Sequence, residues 1–133
     1  MFVSVTRLRL RSSRFLLPFL FYSLRSTRQA RRSPGNVAVE AMRDSHGGYW
    51  TRSVWRDEAS MRAFMTSGVH LRVMPKLLDW ADEAAVVHWQ QESAALPEWD
   101  DAHRRLVTQG RRSKVRYPST AHETLHFPVP GQR

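Results

Sequence analysis

Six histidines, five tryptophans and two alternating arginines are the residues of this 133-residue chain whose types and spacing suit chemistry. His70 stands just after Gly68, in a helical kink where a side chain can point into the space between a helix and a sheet. A neutral imidazole there, with a pKa near working pH, could serve as a general base or orient a phenol. The plainer role is a histidine that satisfies a helix-end carbonyl. Trp50 and Trp55 have opposite parity on one strand, so they occupy opposite faces, and one of them must face the helices. His88 and Trp89 divide in the same way. An aromatic wall suits a flat apolar ligand, although tryptophans on a packed sheet are more often core. Arg7 and Arg9 share a strand face, and two guanidinium groups on a sheet need solvent or anions. Glu40 on the neighbouring strand is the expected partner, with a ligand carboxylate as the other option. The candidate set is therefore His70 as catalytic base, with Trp50, Trp55, His88, Arg7 and Arg9 as substrate-binding residues.

Other chemistries are poorly served. With no cysteine, there is no disulfide framework, thiolate nucleophile or thiolate metal site. The histidines are scattered, and the one pair spaced by four, His122 and His126, lies in a Pro-flanked tail where no stable helix is expected. There is no Gly-rich phosphate loop and no Gly-Xaa-Ser-Xaa-Gly elbow. Neither a metal nor an organic cofactor is expected.

The elements that must position these residues can be read from pattern. Residues 2–10 make a strand whose apolar parity switches near Thr6, which suggests a bulge or a strand covered in part on both faces. Residues 15–32 make an amphipathic helix, with Pro18 tolerable near its first turn. Ser33-Pro34-Gly35-Asn36 is a turn, residues 37–43 a second strand, and residues 44–48 a hairpin connection into the strand at 48–56. Asp57 is an N-cap for a helix carrying Met61, Phe64 and Met65, stopped by Gly68. A further helical segment, kinked at Pro75, closes with Asp82-Glu83, and residues 84–91 form a fourth strand. The order β-α-β-β-α-β predicts an α+β, ferredoxin-like fold: a four-stranded antiparallel sheet with the helices on one face. Residues 1–95 form that domain. Residues 96–133 add a short helix with Trp99, Ala102, His103 and Leu106 on one stripe, then an extended arm of the kind that often crosses a partner subunit.

Charge is concentrated at one end. Residues 1–39 hold eight arginines and no acid, whereas residues 40–133 hold thirteen basic and twelve acidic residues. Such an end could meet nucleic acid, anionic lipid or an acidic partner. It could also reflect arginine-rich codon usage, since nineteen of the twenty-one basic residues are arginine. The apolar run at 15–24 is too short to span a bilayer, which needs ~20 residues, and it is followed by arginines rather than a cleavage site. No membrane partner and a cytoplasmic location are expected. RNA-recognition motifs use a sheet of this topology, but their Lys/Arg-Gly-Phe/Tyr-Gly/Ala-Phe signature is missing from residues 49–55, so no nucleic-acid partner is expected.

The element order, the helix ending Phe64-Met65-Thr66-Ser67-Gly68-Val69-His70 and the tryptophan-flanked third strand resemble the antibiotic biosynthesis monooxygenase-like superfamily of dimeric α/β barrels. Val3-Ser4-Val5-Thr6-Arg7-Leu8-Arg9 and the block from Met74 to Ala84 look most like its uncharacterised members. The N-terminal strand and helix are also similar to spheroidene monooxygenase. The resemblance implies a homodimer formed through the sheet face, with one of Trp50 and Trp55 toward the partner sheet. It also implies a cavity between each sheet and its own helices, for an aromatic or polyene small molecule. Characterised relatives oxidise polycyclic phenols without a cofactor, or degrade heme. Heme is disfavoured here because Met74 occupies the axial-ligand position and the first strand lacks the expected asparagine. A non-catalytic dimeric binding or structural protein is the alternative.

Overall fold

A computed structural model describes residues 1–131. Strand β1 (Phe2–Leu10) is central, flanked by β3 (Gly48–Trp55) and β4 (Ala81–Gln90), with β2 (Asn36–Arg43) and the two-residue β5 (Arg111–Arg112) at the edges. Every pairing is antiparallel. Helices α1 (Leu16–Arg32), α2 (Glu58–Met65) and α3 (Gly68–Trp80) connect β1 to β2 and β3 to β4, giving the ferredoxin-like plan with one extra edge strand. Helix α4 (Trp99–Gln109) and the five-residue α5 (Thr120–Thr124) follow.

Local sequence accounts for most boundaries. Asp57 caps α2 by accepting from the Ser60 amide at 2.8 Å. Gly68, at φ +58°, turns the chain between α2 and α3, a conformation open chiefly to glycine. β1 is covered on both faces over its first half, as Phe2, Val3, Ser4 and Val5 are all buried, and its irregularity lies at Arg9/Leu10 rather than near Thr6.

Three expectations change. Helix α3 runs through Pro75 to Trp80, and β4 starts at Ala81, so Asp82 and Glu83 belong to a strand rather than to a helix end. The tail does form a short helix, capped by Ser119. That tail does not leave as an arm but folds back on its own sheet. Ser113 N–H donates to the Ala84 carbonyl (2.8 Å), Ser119 N–H to that of Asp82 (2.9 Å) and Gly131 N–H to that of Arg43 (3.2 Å).

The sheet therefore has two covered faces. On the helix side, Phe2, Ala30, Val39, Trp55 and Met61 form a cluster joined by Phe64 and Met65. On the other side, Val3, Val5, Trp50, Val54, Ala85 and Val87 pack against Ala102 and Leu106 of α4 and against Phe127. The sheet face expected to lie bare for a partner's sheet is thus occupied by the chain's own residues 99–127. Fully buried Val3, Val5 and Trp50 are not available for direct sheet-on-sheet contact.

Candidate functional site

Strand pairing sorts the five candidate residues that lie on strands onto two faces. Phe2 lies opposite Trp55, Ser4 opposite His88, and Arg7 opposite Trp50. Cross-strand partners share a face, so Trp55 and His88 look toward α1–α3, while Arg7, Arg9 and Trp50 look toward α4 and the tail. His70, on α3, joins the first group.

On the helix side the aromatic rings form two contacting stretches that meet in one buried cluster. His70 lies 4.6 Å from Phe64, centroid to centroid, and Phe64 stacks on Trp55 at 5.3 Å with 26° between planes. Trp55 is cross-strand partner to Phe2, and Phe2 lies 5.3 Å from His88. An imidazole thus sits in each stretch, beside carbocyclic or indole side chains. His70 Nδ1 is 3.1 Å from the Met65 carbonyl, which can only accept, so Nδ1 carries the proton and Nε2 keeps a lone pair. The backbone N–H of His70 donates to the Gln29 side chain at 3.0 Å, and the Gln29 amide donates to the Ser67 carbonyl at 2.8 Å. That residue of α1 clamps the α2–α3 junction on which His70 stands.

Burial holds both imidazoles below the ordinary histidine pKa. For His70 the hydrogen bond to Met65 opposes desolvation only in part. For His88 the Arg111 and Arg62 cations add to desolvation. Both rings are therefore neutral bases at pH 7. Nε2 of His88 is buried with no hydrogen-bond partner, a rare and costly condition for a polar atom.

Side chains occupy the layer where a hollow was expected: Trp55 and Met61 are each 1% exposed. Beside this layer a surface recess of about 400 Å³ is lined by Ser33, Pro34, Asp57, Ser60, Ala63, Phe64 and Ser67 among others. Phe64 belongs to both, touching the recess on one side and Trp55 and His70 on the other.

The opposite face is an ionic knot. Arg7, 1% exposed, donates from Nε to Asp44 (2.7 Å) and from Nη1 to Glu83 (2.5 Å). Glu83 also accepts from Arg9 (2.9 Å) and from the Ser119 hydroxyl (2.7 Å). Asp44 accepts in addition from Trp50 Nε1 and the Gly48 amide, both at 2.8 Å. Desolvation pushes both carboxyls up, yet the hydrogen bonds and arginine charges outweigh it and hold each below its usual range. Phe127 lies over the Arg7 guanidinium at 4.1 Å. A β-carbon on Gly48 would fall 2.4 Å from Arg7 Nε, so only glycine admits this approach. The arginines therefore do have carboxylate partners, but Glu40 is not among them; it pairs with Arg52 at 2.6 Å.

Pattern reading missed Asp44 and Glu83, which looked like a turn residue and a helix end, and it read Phe64 only as helix core. The unsatisfied arginines were the available signal for the two acids. His122 was set aside with the tail; it is buried and its Nδ1 accepts from the Ala84 amide at 3.1 Å, and no metal-ligating cluster occurs among the described residues.

This α+β sheet-and-helix arrangement is the fold of solved structures described as antibiotic biosynthesis monooxygenases. An antibiotic biosynthesis monooxygenase shares it with a TM-score of 0.62 at 14% identity, over 70% of this chain and 100% of the other. SnoaB, a cofactor-independent oxygenase from Streptomyces nogalater, aligns with a TM-score of 0.57 at 19% identity, over 73% and 97% of the two chains. A conserved protein from Methanosarcina mazei gives 0.60 at 13% identity, over 69% and 94%. At these identities the likeness is one of fold. Residues 25–114 match the family described as "Domain of unknown function (DUF3291)", and the chain belongs to that family. No curated protein matches it by sequence.

Proposed function

We propose that the chain is a monooxygenase-like protein that admits a flat apolar molecule, aromatic or polyene, to the helix-side layer. The observation that carries this reading is the row of rings from His70 through Phe64 to Trp55, with the Phe2–His88 pair in the same buried layer on the neighbouring strands and Phe64 also lining an open recess. Rotation of Phe64 would join recess and layer, and the ligand's rings would take over its stacking on Trp55. His70, neutral and with Nε2 free to accept, would take the proton from a phenol or an activated C–H. The resulting electron-rich anion can reduce dioxygen itself: a ring CH₂ and O₂ yield a ring C=O and water, which needs no further reductant. Trp50, Arg7 and Arg9 are assigned to holding the opposite face rather than to substrate. The homodimer that the fold likeness suggests would be built over α4 and the tail or along a sheet edge, because the sheet face itself is covered.

Titration with anthrone, followed by tryptophan fluorescence and oxygen uptake, tests this directly. The expected result is a saturable quench, weakened by Trp55→Phe, with oxygen uptake lost in His70→Ala while the quench persists. The close packing of Trp55 and Met61 favours the second reading, a non-catalytic structural protein. An absent quench up to the solubility limit would select that reading.

A further inference from the structure

Helix α1 presents an outward face that the fold leaves uncovered. Its inner side packs through Phe19 and Ala30. Leu17, then Leu20 and Phe21 side by side, then Leu24, Arg28 and Arg31 recur at spacings of three or four, so they share the opposite side. All six are exposed; Leu17 and Leu24 reach 79% and 73%, and Phe21 54%. Such large apolar side chains are individually common on surfaces, but four on one face of one helix are not scattered singles.

The charge on the helix itself has one sign; Asp79 of the neighbouring α3 is paired with Arg116. Residues 1–39 contain no acid, and Arg14, Arg25, Arg28, Arg31 and Arg32 make no ion pair among the described residues. This sets them apart from Arg7 and Arg9, which spend their charge internally. Arg25 lies 5.3 Å from the Phe21 ring, which places a cation beside the apolar patch. From the packed neighbour α3, Lys76 lies 5.9 Å from Tyr22 and adds another cation.

We propose that this face of α1 docks on an anionic lipid surface. Leucines and phenylalanine would enter the boundary between headgroups and acyl chains, while the arginines that continue the same face hold lipid phosphates. Nucleic acid would use the arginines but gain little from four exposed apolar side chains. An α1 of seventeen residues is about 25 Å long, enough to lie along a membrane. No helix of the described residues is long and apolar enough to cross one. The sequence argued against a membrane partner because its apolar run cannot span, but a helix lying at the surface has no such length requirement. Docking of this face requires nothing of the helix-side layer, so it stands whether or not that layer takes a ligand.

Co-sedimentation of the full chain with vesicles decides it. Vesicles of phosphatidylcholine with phosphatidylglycerol are expected to pellet the protein, phosphatidylcholine alone not, and added salt to weaken the binding. Leu17→Glu with Leu24→Glu, and separately Arg28→Glu with Arg31→Glu, should each lower partitioning by at least about tenfold, given the per-residue strength of such contacts. These positions are exposed, so circular dichroism and the unfolding midpoint should match the parent chain. Equal binding to neutral vesicles, or pelleting that neither pair weakens, would overturn the proposal. So would a dimer in sedimentation equilibrium that the leucine pair dissolves, because that face would then belong to a second copy. Equal loss of binding to a single-stranded oligonucleotide in the arginine pair, with the leucine pair unaffected in both assays, would overturn it too.

Discussion

The two faces of the sheet solve the same packing problem by opposite means. The tail side is closed by a second layer, α4 and the folded-back tail, and holds a buried cluster of two carboxylates, two arginines, a tryptophan N–H and a hydroxyl in which nearly every polar atom is bonded. The helix side holds rings and two neutral imidazoles, with His88 Nε2 among its buried polar atoms that have no partner. An ionic cluster bonded at all but Arg7 Nη2, under a covering layer, fixes geometry. A ring stack with an unsatisfied base, open through one side chain to a recess, is what a site for an apolar molecule requires. The contrast teaches that charged candidates and aromatic candidates, which in sequence stand on the same strands, serve different ends.

The sharpest way to break the tail side is Arg7→Ala. Asp44 and Glu83 would be left buried with too little countercharge, a situation that costs about 3–5 kcal/mol. Urea unfolding should show that loss at pH 7. It should shrink on acidification, because both carboxyls are held below their unfolded pKa values: the stability they contribute is present above those values and disappears as pH falls through the lower, folded ones. A loss that persists unchanged into acid would mean the arginine acts through packing alone. Next in size, Phe127→Ala should cost about 3 kcal/mol, since it uncovers Arg7 and opens a void beside Leu106 and Trp50. If unfolding is unaffected, the tail is not part of the core.

These two substitutions also mark where the sequence was readable. Element order, the opposite faces of Trp50 and Trp55, the Asp57 cap and the Ala102–Leu106 stripe follow from local periodicity, and each is seen. Local pattern carries no record of a bond that spans 37 or 76 residues, as Arg7–Asp44 and Arg7–Glu83 do. Asp44 beside Gly47-Gly48 looks like a turn, and Glu83 after a helix looks like its end, until a buried arginine is placed between them. The Pro- and His-rich tail lacked a periodic stripe, so its return to the sheet through Phe127 and His122 was invisible. On the helix side, His70 and His88 were legible as residues, but the ring contacts around them depend on packing between α2 and the sheet.

The smallest effect sharpens the helix side. His88→Phe replaces a ring whose Nε2 has no partner with an apolar ring of similar shape beside Phe2, and removal of an unsatisfied buried polar atom should stabilise by about 1 kcal/mol. Its pH dependence carries the sign. A histidine held below its unfolded pKa binds its proton more readily when unfolded, so the parent chain should lose stability as pH falls from about 6.5 toward the folded value. His88→Phe and His70→Gln should each flatten part of that slope, with a further part belonging to His122, which burial also holds below the ordinary histidine pKa. This slope sets in at about 6.5, at higher pH than the onset of the Asp44 and Glu83 loss, so the two onsets differ in a pH series of unfolding midpoints. Should His88→Phe destabilise instead, the orphan nitrogen has a partner in solution, and the most economical one is a ligand or water inside the layer.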